Sequence, residues 1–312
     1  MKIRDEQFLW VERYRPRRIQ DCILPLELQK VFESQLNHGQ IQNMLLCGTA
    51  GTGKTTVAKA LCEELGCDYI VINGSMDGNI DNLRTKIKDF ASTVGFGGSV
   101  KVVILDEADY LTHATQPALR NFIEEFSANC RFIFTCNFKH RIIEPLWSRL
   151  VVIEFKIPKA EKPAIAKQFM KRVMFILDHE KVGYDEKAVA ALIMKHFPDY
   201  RRTLNDLQRF AGAGNIDSSI LSDISDDSFN ELVKSLKEKD FKAMRTWVVN
   251  NHEDPSSVFR KLYDNLTNQV LSVPQLVILL ADYQYKSAFV VDQEINLVAC
   301  LTELMADMEF KS

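Results

Sequence analysis

Several features that would settle the class of this chain at once are missing from it. Its seven cysteines (Cys22, Cys47, Cys62, Cys67, Cys130, Cys136 and Cys300) include no C-x-x-C pair. That spacing argues against a zinc ribbon and against a disulfide framework, and it suits a reducing compartment. No apolar run approaches the ~18 residues that a membrane-spanning helix needs, so no membrane association is expected. The opening stretch MKIRDEQFLW lacks the apolar core of a secretory signal. A cytoplasmic location is therefore expected, the host cell's cytoplasm if the chain is viral. Charge of one sign is not in excess either, with 39 Lys and Arg against 42 Asp and Glu and a formal net charge of −3. Without a global attraction to nucleic acid, any DNA contact has to rest on local patches and oriented backbone amides. Internal repeats and low-complexity tracts are absent.

What is present is an ordinary globular composition, 46% hydrophobic and 26% charged over 312 residues, enough for two or three domains. Up to about residue 157, short apolar runs alternate with helical segments, the pattern of a parallel α/β sheet. The strand candidates are NMLLCG (43–48), DYIVING (68–74), VKVVILDE (100–107), RFIFTCN (131–137) and LVVIEF (150–155). Their near-continuous apolar character requires a sheet covered on both faces. Helical patterns lie between them at 54–65, 80–92 and 115–127. Beyond KIPKA (156–160) the strand signal stops and amphipathic helices follow, the third closing near Gly212 and Gly214. A polar stretch at 215–228 reads as a linker. The remainder is helical again and too apolar for lone solvated helices, so it packs in a bundle or against copies of itself. Trp247 and the aromatics of this last part read as packing, and the cysteines of the sheet region as small core residues. The boundaries expected are 1–157, 158–228 and 229–312.

Chemistry enters directly after the first strand. Gly48, Gly51, Gly53, Lys54 and Thr55 in GTAGTGKTT satisfy G-x-x-x-x-G-K-[ST]. The glycines allow a tight loop whose amides form an anion nest at a helix N-terminus. Lys54 is placed to neutralise β- and γ-phosphates, the Thr55 hydroxyl to ligate Mg²⁺, and Thr52 and Thr56 lie in the same stretch. In VVILDEAD (102–109), four apolar residues deliver Asp106 to the carboxyl edge of a buried strand. Asp106 is the second Mg²⁺ candidate, and Glu107 is a candidate general base for an attacking water. The plainer alternative is an acidic strand end capping the next helix. Asn137, at the tip of RFIFTCN, can orient that water, although Asn at strand ends is also common turn chemistry.

The P-loop, the acidic strand end, the Asn-tipped strand and Ser148–Arg149 occur in the order of an AAA+ ATPase, which the chain resembles over nearly its whole length. More narrowly, it is similar to sliding-clamp-loader subunits, above all the large subunits of T-even-like bacteriophages. WVERYRP (10–16) resembles their N-terminal signature, which implies adenine contacts from Tyr14 and Pro16. SRL (148–150) resembles their Ser-Arg-Cys box with Leu150 for cysteine, a change that reads as packing. FPDYRRTLNDL (197–207) resembles their sensor-2 helix and puts Arg201 at the γ-phosphate, the alternative being a pair with Asp199 or Asp206. TQPALRNFIEEFS (115–127) resembles the segment that couples neighbouring subunits. There Gln116 is either a polar switch at the junction or a surface glutamine. Arg120 is either a second trans-acting arginine or an i,i+4 partner of Glu124. Where phage relatives carry a lysine that relays DNA contact, this chain has the neutral Asn79. Arg84, Lys86 and Lys88 on the following helix are candidate phosphate contacts or a solvated basic face.

The resemblance implies a P-loop AAA+ domain with a parallel five-stranded sheet, a helical lid and a C-terminal helical collar. It implies ATP and Mg²⁺ as cofactors. The implied partners are a sliding clamp, a small loader subunit, other copies of the chain (four in a pentamer) and primer–template DNA read through its backbone. ATP binding would open the clamp, and DNA-triggered hydrolysis would release it closed. Arg149, on a loop at the domain edge, is poorly placed for its own γ-phosphate, which Lys54 and Arg201 already serve. It is expected to act on a neighbour's nucleotide, unless it simply bonds local carbonyls at a helix end. Two other readings compete with this one. A nucleotide-gated scaffold without turnover would show a decayed P-loop or a missing acid, and neither is seen. A helicase would need a second sheet domain, for which too few strands remain.

Overall fold

Five apolar runs become five strands of one wholly parallel sheet: β1 (Met44–Cys47), β2 (Tyr69–Asn73), β3 (Lys101–Asp106), β4 (Cys130–Cys136) and β5 (Val151–Glu154). The computed structural model describes residues 6–76, 80–92, 100–112, 114–217, 227–250 and 255–311. The strand order across the sheet is β2-β3-β4-β1-β5. Burial follows that order. The central strands β1, β3 and β4 are covered almost throughout, whereas the edge strands leave Val71 and Val151 partly exposed.

Because successive strand residues point to opposite faces, the sheet sorts its side chains into two layers. Leu45, Val103, Leu105, Phe132 and Phe134 pack on one face with Leu83 and Ile87 of α4 (Ile80–Ala91) and Leu119, Phe122 and Ile123 of α5 (Gln116–Glu125). Met44, Leu46, Val102, Ile104 and Ile133 pack on the other with Phe32 of α2 (Leu26–His38) and Val57, Ala58 and Leu61 of α3 (Lys54–Glu64). Two one-turn helices, α1 (Trp10–Arg13) and α6 (Glu144–Trp147), flank these elements. Leu150 is buried in the first layer, beside α5 and β4.

Three helices follow: α7 (Lys162–His179), α8 (Glu186–His196) and α9 (Tyr200–Ala213). The starts of the last two obey capping chemistry. Asp185 accepts from the amide of Lys187, and Asp199 accepts from that of Arg202. Most of the expected linker, residues 218–226, lies outside the described residues.

The chain divides into two compact units, Met1–Leu221 and Ser222–Ser312. The second contains α10 (Asp227–Glu238), α11 (Phe241–Asn250), α12 (Pro255–Leu266), α13 (Val273–Ser287) and α14 (Gln293–Asp307). Leu232, Leu236, Met244, Phe259, Leu262, Leu280, Leu301 and Leu304 form its core, with Trp247 packed against it. The expectation that the aromatics of the last 70 residues pack is corrected, because Tyr285 and Phe289 are exposed. The period-3.6 pattern of these short helices carries apolar residues on more than the inward face. Among the described residues no helix is long and apolar enough to cross a membrane.

Candidate functional site

A cleft lies at the carboxyl ends of β1, β3 and β4, where parallel sheets place their ligand sites. The P-loop between β1 and α3 forms its floor, and lid residues Phe169, Arg172, Ile176, Tyr200, Arg201 and Leu204 line its far wall. Loop and lid touch at Gly51, whose carbonyl accepts from the amide of Tyr200 at 3.2 Å. Gly51 has φ +73°, and a Cβ there would stand 1.8 Å from Asp199 Oδ1. Only glycine meets both demands.

Lys54 is buried at the start of α3. Its ammonium donates to the carbonyls of Gly48 and Thr49, each at 2.8 Å, and to Asn137 Oδ1 at 2.9 Å. Burial lowers its pKa below the ordinary lysine value, opposed by the nearby Asp106 and Asp109 carboxylates. Thr52 closes the loop with a hydroxyl bond to the Thr49 carbonyl at 2.9 Å. Thr55 donates to Asp106 Oδ1 at 2.6 Å. A hydroxyl and a carboxylate converging beside the phosphate loop are the hard oxygen donors that Mg²⁺ takes, so the residues present fit that ion.

Glu107 follows Asp106 with φ 55° and ψ 43°, a left-handed backbone, and lines the same cleft. Asn137 lines it from the end of β4, its amide and that of Phe138 donating to Asp109 Oδ2 at 3.2 Å each. Arg201 lies exposed at the lid side, and it pairs with neither Asp199 nor Asp206. Asp199 caps the Arg202 amide, while Asp206 meets His196 and Arg209. Burial pushes the Cys136 thiol up to about 12 and Cys130 to about 11, so neither is a nucleophile at neutral pH.

The opposite end of the cleft is apolar. Val11, Tyr14, Pro16, Ile23, Leu24, Phe169 and Ile176 line it, a lining suited to a flat heterocycle. Tyr14 is buried, and its hydroxyl meets His179 Nδ1 at 2.7 Å and the Glu180 carboxylate. Burial first, then the bond to Glu180, raises its pKa above the ordinary phenol value. Arg13 pairs with the same Glu180 at 2.8 Å, tying the N-terminal signature to the end of α7.

The structure thus gathers Tyr14, Pro16, Gly51, Thr52, Gly53, Lys54, Thr55, Thr56, Asp106, Glu107, Asn137 and Arg201 around one cleft, with Gly48 at its base. Arg149 is not among them. It precedes β5, whose first residue Val151 pairs with Met44 at the beginning of β1, so it sits at the amino edge of the sheet. The bond to a local carbonyl, one of the two readings of Arg149, is present together with an ion pair. Nε of Arg149 pairs with Glu124 at 2.6 Å, and Nη1 bonds the Pro145 carbonyl at 2.7 Å.

Of the two readings of Arg120, a direct ion pair with Glu124 is not found: Glu124 bonds Arg149, Arg120 acts on it only through its charge, and Arg120 Nε is buried without a hydrogen-bond partner. The surface-glutamine alternative for Gln116 also fails. Gln116 is buried, donating to the carbonyls of Leu111 (3.2 Å) and Arg141 (2.9 Å) and accepting from the amide of Ile143 (2.8 Å). Arg84 and Lys86 are exposed on α4, Lys88 is half-buried, and Asn79 lies outside the described residues.

Among the cleft residues not anticipated are Arg15, Arg172, Asp109 and Thr135. Thr135 gives no signal of its own in the sequence, where it is one hydroxyl inside an apolar run, and it stands one residue before the end of β4. Its hydroxyl donates to Asp106 Oδ1 at 2.5 Å and accepts from the amide of Glu107 at 3.1 Å.

Comparison with known proteins agrees with this geometry. The family model described as "ATPase family associated with various cellular activities (AAA)" matches residues 44–158. A second, "Sliding-clamp-loader large subunit, AAA+ ATPase lid domain", matches residues 161–222. The sliding-clamp-loader large subunit of Enterobacteria phage T4 is 35% identical, over 99% of each chain. That of Escherichia phage RB69 is 38% identical over 86% of this chain and 85% of the relative. The replication factor C small subunit of Sulfurisphaera tokodaii is 31% identical over 96% of each. Among solved structures, the RuvB Holliday junction branch migration motor of Thermotoga maritima superposes with a TM-score of 0.53 at 19% identity, covering 81% of this chain and 79% of that one. This last likeness speaks to the fold alone.

Proposed function

The chain belongs to the sliding-clamp-loader subunits of the AAA+ ATPases, and on that premise we propose how its residues divide the work. It is an ATP-hydrolysing subunit of a clamp loader. The nucleotide-binding domain extends to residue 157, the lid covers 158–228 and the collar 229–312. Tyr14 and Pro16 hold the adenine at the apolar end of the cleft, and the P-loop amides with Lys54 hold the phosphates. Lys54 exchanges its three internal oxygen partners for phosphate oxygens, which suits a buried ammonium that already demands full coordination. Thr55 and Asp106 hold Mg²⁺, which when bound neutralises charge on the phosphates. Glu107 takes the proton of the attacking water, Asn137 orients that water, and Arg201 reports the γ-phosphate to the lid.

The observation that carries the assembly reading is the place of Arg149. Asp106 ends β3, Asn137 directly follows β4 and Lys54 begins α3 after the loop that leaves β1, all at the carboxyl side of the sheet, whereas Arg149 stands before the amino end of β5. At ~3.3 Å per residue, the strands alone separate these edges by about 10 Å or more. Arg149 therefore serves a neighbouring subunit's nucleotide, with Nη2 as the nitrogen left over from Glu124 and Pro145. Four copies and one small subunit form the pentamer, a sliding clamp and the phosphate backbone of primer–template DNA are the partners, and the assembly works in the cytoplasm, a host cell's if the gene is viral. ATP binding opens the clamp, and DNA-triggered hydrolysis releases it.

The test is ATP turnover by the chain with its small subunit, with and without clamp and primer–template DNA. Stimulation by both is expected, and no response to either would overturn the reading.

A further inference from the structure

We propose that Thr135 is the positioning residue for Glu107, an inference that rests on the reading of Glu107 as the general base. Glu107 adopts a left-handed backbone, φ 55° and ψ 43°, which a residue bearing a Cβ keeps only when its surroundings hold it there. Those surroundings come from both flanking strands. From the end of β2, the amide of Gly74 donates to the Asp106 carbonyl at 2.8 Å. Gly74 also leaves room for the turn, because a Cβ on it would lie 2.6 Å from the Glu107 carbonyl oxygen.

From β4 comes Thr135, whose side chain bonds both acidic residues. A hydroxyl has a single proton and spare lone pairs. Here the proton goes to Asp106 Oδ1 at 2.5 Å, and a lone pair receives the Glu107 N–H at 3.1 Å. Thr135 is only 2% exposed, so solvent is shut out from taking over either bond.

The surroundings of the hydroxyl exclude a packing explanation. Its strand reads Phe132, Ile133, Phe134, Thr135, Cys136, all buried. A buried hydroxyl is costly unless bonded, and valine would fill the same volume with good strand propensity. The oxygen is present for its two bonds. They fix the main chain of Glu107 against the carboxylate of Asp106, and so set where the base stands relative to the phosphate loop. Two residues on, just past the end of β4, Asn137 accepts from Lys54. One short segment at the end of β4 thereby aligns the base and the water-orienting amide together.

The experiment compares Thr135→Val, Thr135→Ser, Glu107→Gln and the Val/Gln double variant in the loader assembled with small subunit, clamp and primed DNA. Turnover of ATP is read alongside Mg·ADP affinity and thermal midpoint. Thr135→Val is expected to lower kcat roughly 10- to 100-fold, the scale of a misplaced catalytic group. KM and Mg·ADP affinity stay within about threefold, and Thr135→Ser keeps kcat within about threefold. The valine adds no further loss in the Glu107→Gln background. Wild-type kcat for Thr135→Val overturns the proposal, as does an equal loss for Val and Ser, or a loss of nucleotide affinity in step with kcat. Thr135→Ala, read in the same way, replaces the valine if that variant does not assemble. Should Glu107→Gln itself turn over normally, the base assignment fails. If Glu107→Gln is dead and Thr135→Val is not, only the positioning role fails.

Discussion

Two of the three nitrogens of Arg149 are engaged inside its own chain, Nε with Glu124 and Nη1 with the Pro145 carbonyl. The pair holds the Glu124 carboxyl below its ordinary pKa through the hydrogen bond and the charge of Arg149. A long side chain anchored this way gives up less rotamer freedom when it meets a phosphate. Replacing Arg149 by alanine is expected to leave ADP affinity of the isolated chain unchanged while turnover of the assembly falls by about 10³-fold. An isolated chain that hydrolyses ATP as fast as the assembly, by an Arg149-dependent route, would contradict this. Gly51 gives a second residue-scale expectation. In Gly51→Ala, the new Cβ would meet Asp199 Oδ1 at 1.8 Å, which drives loop and lid apart. Nucleotide affinity, measured by titration with ADP, is expected to fall by about tenfold or more, with the sheet still folded by circular dichroism.

Helices and strands differ in how much of their purpose is written in their own residues. The five strands were legible because burial on both faces demands unbroken apolar runs, and VVILDE announces both a strand and the acid at its tip. Asp106, Glu107 and Asn137 were legible for the same reason, each standing where a run stops, and Lys54 through the glycine spacing of its loop. Thr135 was not, because one hydroxyl inside an apolar run reads as ordinary β-branched filler until β3 and β4 are laid side by side. The bonds made by Gln116 and Glu124 on α5 were not legible for a related reason. Helical periodicity says which residues share a face, yet only tertiary packing says that Gln116 faces the carbonyls of Leu111 and Arg141. In the lid, α8 and α9 are joined by His196 and Asp206 at 2.8 Å. Burial, aided by the charge of Arg202, lowers the His196 pKa despite the neighbouring carboxylate. With a depressed folded value, the unfolded state binds more protons, so this contribution is complete above the unfolded value near 6.5 and is lost as pH falls through the folded one. Hydrogen exchange in α8 and α9 is expected to show weaker protection at pH 5.5 than at 7.5, after correction for intrinsic rates. His196→Gln is expected to flatten that difference.

At the scale of the molecule, the second unit leaves Ile278, Tyr285, Phe289, Val291 and Ile295 exposed on and between α13 and α14. On the proposed reading of this unit as a collar, these side chains are expected to lie in its association surface. Ile278→Asp is expected to weaken assembly in sedimentation experiments without lowering the thermal midpoint of the single chain, since the residue is 71% exposed.

The parallel sheet gives each copy an open socket at one edge and a cation at the other. With the two halves on opposite edges, copies joined by the proposed contact would be added head to tail. It either completes a circle or leaves two unlike ends. In an open row, the first cation addresses nothing and the last socket waits for an arginine that never arrives. The number of fully equipped sites in such a row is therefore one fewer than the number of copies that carry both halves, unless a companion chain of different sequence supplies the missing half.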